Sequence, residues 1–108
     1  MYNQEDINKI IDIILNIIPD TEKIILFGSY ANGKAHIDSD LDFAVLTDII
    51  FQRQEKLDIL TKLRWKIAKM GYNTDIILKN LADYTNDSKF PTLSKVISNE
   101  GVQVWSRN

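Results

Sequence analysis

One stretch, Phe27 to Phe43, constrains the chain more than any other. It sets a tight turn and two closely spaced carboxylates between two apolar runs. Lys23 to Phe27 reads as a short buried strand. Gly28 then permits a sharp turn, or a close approach of the backbone to a ligand, where a Cβ would clash. Ser29 is placed to start a short helix running to about Lys34, and a helix start offers N–H groups and partial positive charge to a phosphate. After a polar loop the chain becomes extended again from about Leu41 to Leu46, with Asp40 and Asp42 at its entrance. On a strand, positions i and i+2 share a side and lie roughly 6–7 Å apart along the chain. Carboxylates so placed can share divalent cations, and a two-metal phosphoryl-transfer site wants its ions about 3.5–4 Å apart. Taken singly, Gly-Ser is most often a turn and Asp-x-Asp a solvated strand entrance. Together, at this spacing, they read as a site for a nucleoside triphosphate.

Gly28-Ser29, ten residues, then Asp40-Leu41-Asp42 resembles the signature of the polymerase-β-like nucleotidyltransferase superfamily. The longer match, Gly-Ser-Tyr-Ala-x-Gly through Ser-Asp-Leu-Asp-Phe-Ala-Val, resembles its minimal nucleotidyltransferase (MNT) branch and covers essentially the whole chain. The resemblance implies an α/β (α+β) fold, a small mixed sheet with helices packed mainly on one face. It implies Mg²⁺, two ions, on Asp40, Asp42 and a third acid on a following strand, which here is Asp75. Gly28 and Ser29 would hold the triphosphate of ATP, with Asn32 and Lys34 beside them. MNT relatives are often antitoxins of a HEPN-domain protein, a helical toxin with RNase activity, and transfer AMP to a tyrosine on it. The chain departs from the family at Asn32, where relatives usually carry Arg. Lys34 offers a point charge in its place, without the bidentate fork of a guanidinium. Two other readings fit the same residues. One is an antitoxin that neutralises its toxin by binding, with little or no catalysis. The other is an enzyme acting on a small molecule, as in antibiotic nucleotidyltransferases.

Bulk properties bound these readings. The 108 residues make one domain, 1–108. With no cysteine, disulfides and thiolate metal sites are excluded. Nothing in the Ile-rich start reads as a signal peptide or membrane span, so a cytoplasmic protein is expected. Residues 1–52 carry 3 basic and 9 acidic side chains, −6, while residues 53–108 carry 10 basic and 6 acidic, +4. That balance does not suit a general nucleic-acid binder, and an acidic mouth beside a more basic half suits metal–nucleotide chemistry. Only some thirty residues follow the third strand, too few for an acceptor-binding domain, so a partner chain, as a hetero-oligomer or a homodimer, is expected to complete the site.

The remaining elements follow in order. Asn3 is set to cap a helix whose Ile7, Ile10, Ile11, Ile14 and Ile18 recur at helical spacing until Pro19 and Asp20. Ile13, Leu15 and Ile17 broaden that face, either as deeper burial or toward a partner. On the second strand Leu41, Phe43 and Val45 are expected to face the core. The spacing predicts a long helix from about Ile49 to Met70 with Leu57, Leu60, Leu63, Ile67 and Met70 inside, stopped by Gly71. Lys62, Lys66 and Lys69 share its opposite face beside Trp65, as solvation or as a contact surface. Asn73 to Leu78 reads as the third strand, with Asp75 inside an apolar stretch where an unpaired carboxylate is costly. Leu81 to Lys89 reads as irregular, Pro91 to Asn99 as a short helix and Val102 to Trp105 as a last strand. His36, the only histidine, reads as a loop residue.

Overall fold

The computed structural model describes residues 1–108. Its elements are α1 (Gln4–Ile17), β1 (Thr21–Phe27), α2 (Ser29–Asn32), β2 (Leu41–Thr47), α3 (Arg53–Lys69), β3 (Thr74–Asn80), α4 (Leu81–Asp87), α5 (Leu93–Glu100) and β4 (Val102–Ser106). The strands form one mixed sheet in the order β3-β2-β1-β4. β1 pairs antiparallel with β2 and β4, and β2 pairs parallel with β3. A parallel pair needs a long crossover, and α3 supplies it between β2 and β3.

Local chemistry accounts for the helix limits. Asn3 caps α1 in a reciprocal box: its Oδ1 accepts from Asp6 N–H at 3.0 Å, while its own N–H donates to Asp6 Oδ2 at 2.8 Å. Pro19 cannot continue the helix. Gly71, at φ +92°, follows α3 and lets the chain reverse without a Cβ penalty.

Most of the core lies on one face of the sheet, under α1 and α3. Ile10 and Ile14 of α1 and Leu63 and Ile67 of α3 pack there on Ile24 of β1 and on Leu41, Phe43 and Val45 of β2. A smaller cluster on the opposite face joins Ala44 and Leu46 to Tyr84 of α4 and Ile97 of α5. Alternation along β2 thus feeds both clusters, so this strand is buried on both sides beyond its first residues. Ile13, Leu15 and Ile17 are half-buried at the margin of the larger cluster. No helix is long and apolar enough to cross a membrane.

Several elements differ from their sequence reading. α3 begins at Arg53 rather than Ile49, because Ile49 to Gln52 form the connection out of β2. Leu57 and Met70 are about half exposed, at 49% and 55%, not core. At 100° per residue Leu57 lies about a quarter-turn from the stripe centred on Leu60, Leu63 and Ile67, and Met70 falls beyond the last turn. Residues 81–87 are helical, started by Asn80, whose side chain accepts from Asp83 N–H at 3.2 Å. The polar composition of α4 hides this, because it buries little more than Tyr84. Trp65 is 64% exposed as its position suggests, and the Lys69 ammonium lies 4.9 Å from its ring centroid.

Phe43 is fully buried at the centre of the larger cluster. Phe43→Ala is expected to lower unfolding stability by about 3–5 kcal/mol, measured by urea denaturation.

Candidate active site

The N-terminal ends of β2 and β3 bring the acids together. Asp42 and Asp75 are register partners on these adjacent parallel strands. Neighbouring strands lie about 4.8 Å apart, and side chains at paired positions point to the same face. Asp40 precedes β2 by one residue. On the other side of β2, Asp42 pairs with Phe27, the last residue of β1. The next residue is Gly28, so the glycine turn arrives beside the carboxylate because the ladder runs out there.

Gly28 has φ +73° and ψ −154°, a region essentially restricted to glycine. A Cβ on it would lie 2.1 Å from Asp42 Oδ2. The position therefore excludes a side chain twice over, by backbone conformation and by contact. Ser29 opens α2, a single turn in which the N–H groups of Ala31 and Asn32 donate to the Gly28 carbonyl at 3.0 and 3.1 Å. The first N–H groups of a helix have no partner within it. At the other end Lys34 N–H donates to the Ser29 carbonyl at 3.0 Å and to Asn32 Oδ1 at 3.1 Å. The Asn32 side chain thus closes its own turn. Both Asn32 and Lys34 are exposed.

No basic side chain is ion-paired with the acids, although Arg64 lines the same hollow as Asp40. The chain's ion pairs are Lys9–Glu5, Lys79–Asp87 and Arg107–Glu22, none of them at the site. Burial pushes the Asp42 carboxyl above its ordinary value of 3.8, and the carboxylates of Asp75 and then Asp40 push it further. Asp75 itself is exposed rather than buried, which corrects the expectation from its apolar neighbours: it sits at the strand entrance, where water reaches it. No three His, Asp or Glu side chains converge closely enough to hold one ion. An oxygen-only donor set with unneutralised charge suits Mg²⁺, which typically takes one or two carboxylates and completes its shell with water and substrate phosphates.

His36 lies in the exposed loop, where its Nδ1 accepts from Asp38 N–H at 3.3 Å. A hollow of about 250 Å³ adjoins Asp40 and is lined by Arg64, Ala68, Tyr72, Asn73 and Thr74. These residues, and Tyr2 beyond them, carry no motif that sequence reading could use. A hollow of about 400 Å³ opens at the other end of β2 and β3, beside Thr47 and Asn80, away from the acids.

The sheet thus carries acids at the ends of two neighbouring strands, one of them against a Gly-Ser turn whose backbone is open to a phosphate. Residues 7–103 match the nucleotidyltransferase domain family, and the chain belongs to it. Protein adenylyltransferase MntA of Shewanella oneidensis is 33% identical over 101 residues, which are 91% of this chain and 63% of MntA; the chain thus spans less than two thirds of that relative. A solved toxin–antitoxin complex with AMP-PNP matches 94% of this chain and 73% of its own, at 26% identity and a TM-score of 0.65. An MNT antitoxin bound to a tri-AMPylated HEPN toxin, also from Shewanella oneidensis, matches 95% and 71% with a TM-score of 0.60; at 24% identity it shows the shared fold.

Gly28→Ala is expected to cost roughly 1–3 kcal/mol through its positive φ, read as a lowered urea midpoint. Asp42→Asn should act in the opposite direction. The raised proton affinity of Asp42 means that the folded state binds more protons than the unfolded one above pH 3.8, so stability falls as pH rises through that window. Removing the charge is expected to raise the melting temperature at pH 7, with the gain shrinking as pH falls toward 3.8, measured by thermal unfolding across pH.

Proposed function

We propose that this domain transfers AMP from ATP to a hydroxyl, a tyrosine, on a HEPN-type toxin and so acts as its antitoxin. The register pairing of Asp42 with Asp75, with Asp42 against Gly28, carries this reading: it sets acids and phosphate turn side by side. Likeness to an adenylyltransferase and to an antitoxin complexed with AMP-PNP supports the nucleotide and the type of partner. The HEPN identity follows from the resemblance to the MNT branch.

Asp40, Asp42 and Asp75 would hold two Mg²⁺ ions, which supply neutralisation of the charge that builds on the phosphate oxygens during transfer. Gly28, lacking a side chain, lets the triphosphate approach the backbone, and the Ser29 hydroxyl and N–H donate to it. Asn32 and Lys34 border the nucleotide side, where Lys34 contributes charge. Asp75, exposed at the entrance of β3, meets the incoming hydroxyl and favours loss of its proton. The α-phosphorus–oxygen bond to pyrophosphate breaks as the bond to the acceptor oxygen forms.

One observation favours a second reading, a binding antitoxin with an idle site. The position where relatives carry Arg holds Asn32, and its side chain is spent on its own turn. A single experiment separates the two. The protein encoded by the adjacent reading frame is incubated with this chain, Mg²⁺ and each nucleoside triphosphate, then weighed intact by mass spectrometry. Addition of one or more AMP units from ATP is expected, reduced at least about a hundredfold in rate by Asp42→Asn. A stable complex without added mass, formed equally by wild type and variant, would establish the binding antitoxin instead.

A further inference from the structure

Tyr2 lies outside every motif, yet it joins the parts of the site. Its backbone N–H donates to Tyr30 Oη at 3.0 Å, and its own hydroxyl accepts from Asn73 N–H at 2.8 Å. Its ring packs against those of Tyr30 and Tyr72, with centroids 6.0 and 5.7 Å away. Tyr30 follows Ser29 in α2, and Asn73 precedes Asp75 by two residues. The Asn73 carbonyl accepts from Leu41 N–H at 3.1 Å, and Leu41 is the residue between Asp40 and Asp42. One side chain and its peptide therefore connect the Gly-Ser helix, the entrance of β3 and the acidic end of β2.

The connection matters most for α2. The β1–β2 ladder ends at the Phe27–Asp42 pair, so strand pairing does not reach the residues that follow, which are held by packing of Tyr30 and Ala31 on the larger cluster. Hydrogen bonds from Ala31, Asn32 and Lys34 stay within the turn. The Tyr30 hydroxyl is the hydrogen-bonding link from this turn to the rest of the molecule. The segment that holds it is itself anchored, because Tyr72 Oη donates to Asp6 Oδ1 at 3.2 Å at the start of α1.

We infer that Tyr2 is a positioning residue for nucleotidyl transfer, setting the spacing between the phosphate turn at Gly28-Ser29 and the carboxylates of Asp40, Asp42 and Asp75. The inference rests on the transferase reading above. Strand pairing fixes Asp42 relative to Asp75, whereas the turn that meets the phosphates lies outside the ladder, and the Tyr30–Tyr2–Asn73 path is its hydrogen-bonded link to the acidic end. Misplacement by about 1 Å far from the reacting atoms can cost about a hundredfold in rate.

Tyr2→Phe in the full chain tests this. It removes the hydroxyl bond to Asn73 while keeping the ring contacts, and water can reach the exposed Asn73 N–H, so the unfolding midpoint should stay close to that of wild type. Transfer to the partner is expected to fall about tenfold to a hundredfold in kcat, with KM for ATP little changed. A second reading needs no turnover: the ratio of ATP dissociation constants without and with Mg²⁺ reports coupling between turn and acids. That ratio should drop in Tyr2→Phe, and likewise in Tyr30→Phe. Unchanged kcat and unchanged coupling overturn the inference. So does a loss of activity that merely tracks a lowered midpoint, which would make Tyr2 structural only. If wild type binds no ATP, the transferase reading fails and takes the inference with it; if wild type binds and the variants match it, the inference alone fails.

Discussion

The close approach of the Asp42 carboxylate to the Gly28 backbone is the constraint on which the site depends. A Cβ at residue 28 would meet Oδ2 at 2.1 Å. The antiparallel ladder ends at Phe27 and Asp42, so the glycine turn must begin there, and the carboxylate must stand against it. The parallel pairing of β2 with β3 then adds Asp75 beside Asp42. Three carboxylates gather at one sheet end with no basic side chain paired to them. The chain bears this repulsion at its solvent-facing edge, where water screens it and an external cation can enter.

What supports that edge is a strand buried on both faces. Phe43 and Val45 anchor β2 to α1 and α3, and Ala44 and Leu46 anchor it to α4 and α5. A strand so gripped cannot slip register, because a shift of one residue would turn Asp42 into the core and a buried side chain out to solvent. Stability of the core and placement of the carboxylate are therefore two consequences of one alternation. The single turn of α2 lies beyond the strand pairing; Tyr30 and Ala31 pack on the larger cluster, and the tyrosine cluster around Tyr2 adds its hydrogen-bonded tie.

Much of this was legible in the residues. The isoleucine spacing of α1, the alternation of β2 and the Gly-Ser and Asp-x-Asp spacing each carry a period or a steric requirement that shows in one dimension. The full α4 was not legible: Leu81 to Asp87 is polar because it covers little of the sheet, so it lacks an apolar stripe. Leu57 and Met70 misled, since an apolar residue near a helix end matches the pattern whether or not anything lies opposite. Asp75 misled in a different way. Its apolar neighbours suggested burial, but its place on the strand is the solvent-facing entrance.

By itself the sequence determined the elements that repeat or punctuate: amphipathic α1, the strands flanking the glycine turn, and two acids two residues apart. Such features depend on neighbours a few residues away, and local geometry decides them. The tertiary structure alone decided that Asp75 stands beside Asp42, that the three acids have no ion-paired cation of the chain's own, and that Tyr2 reaches both Tyr30 and Asn73. These are meetings of residues 28 to 71 positions apart, or the absence of such meetings, and strand register together with helix packing sets them.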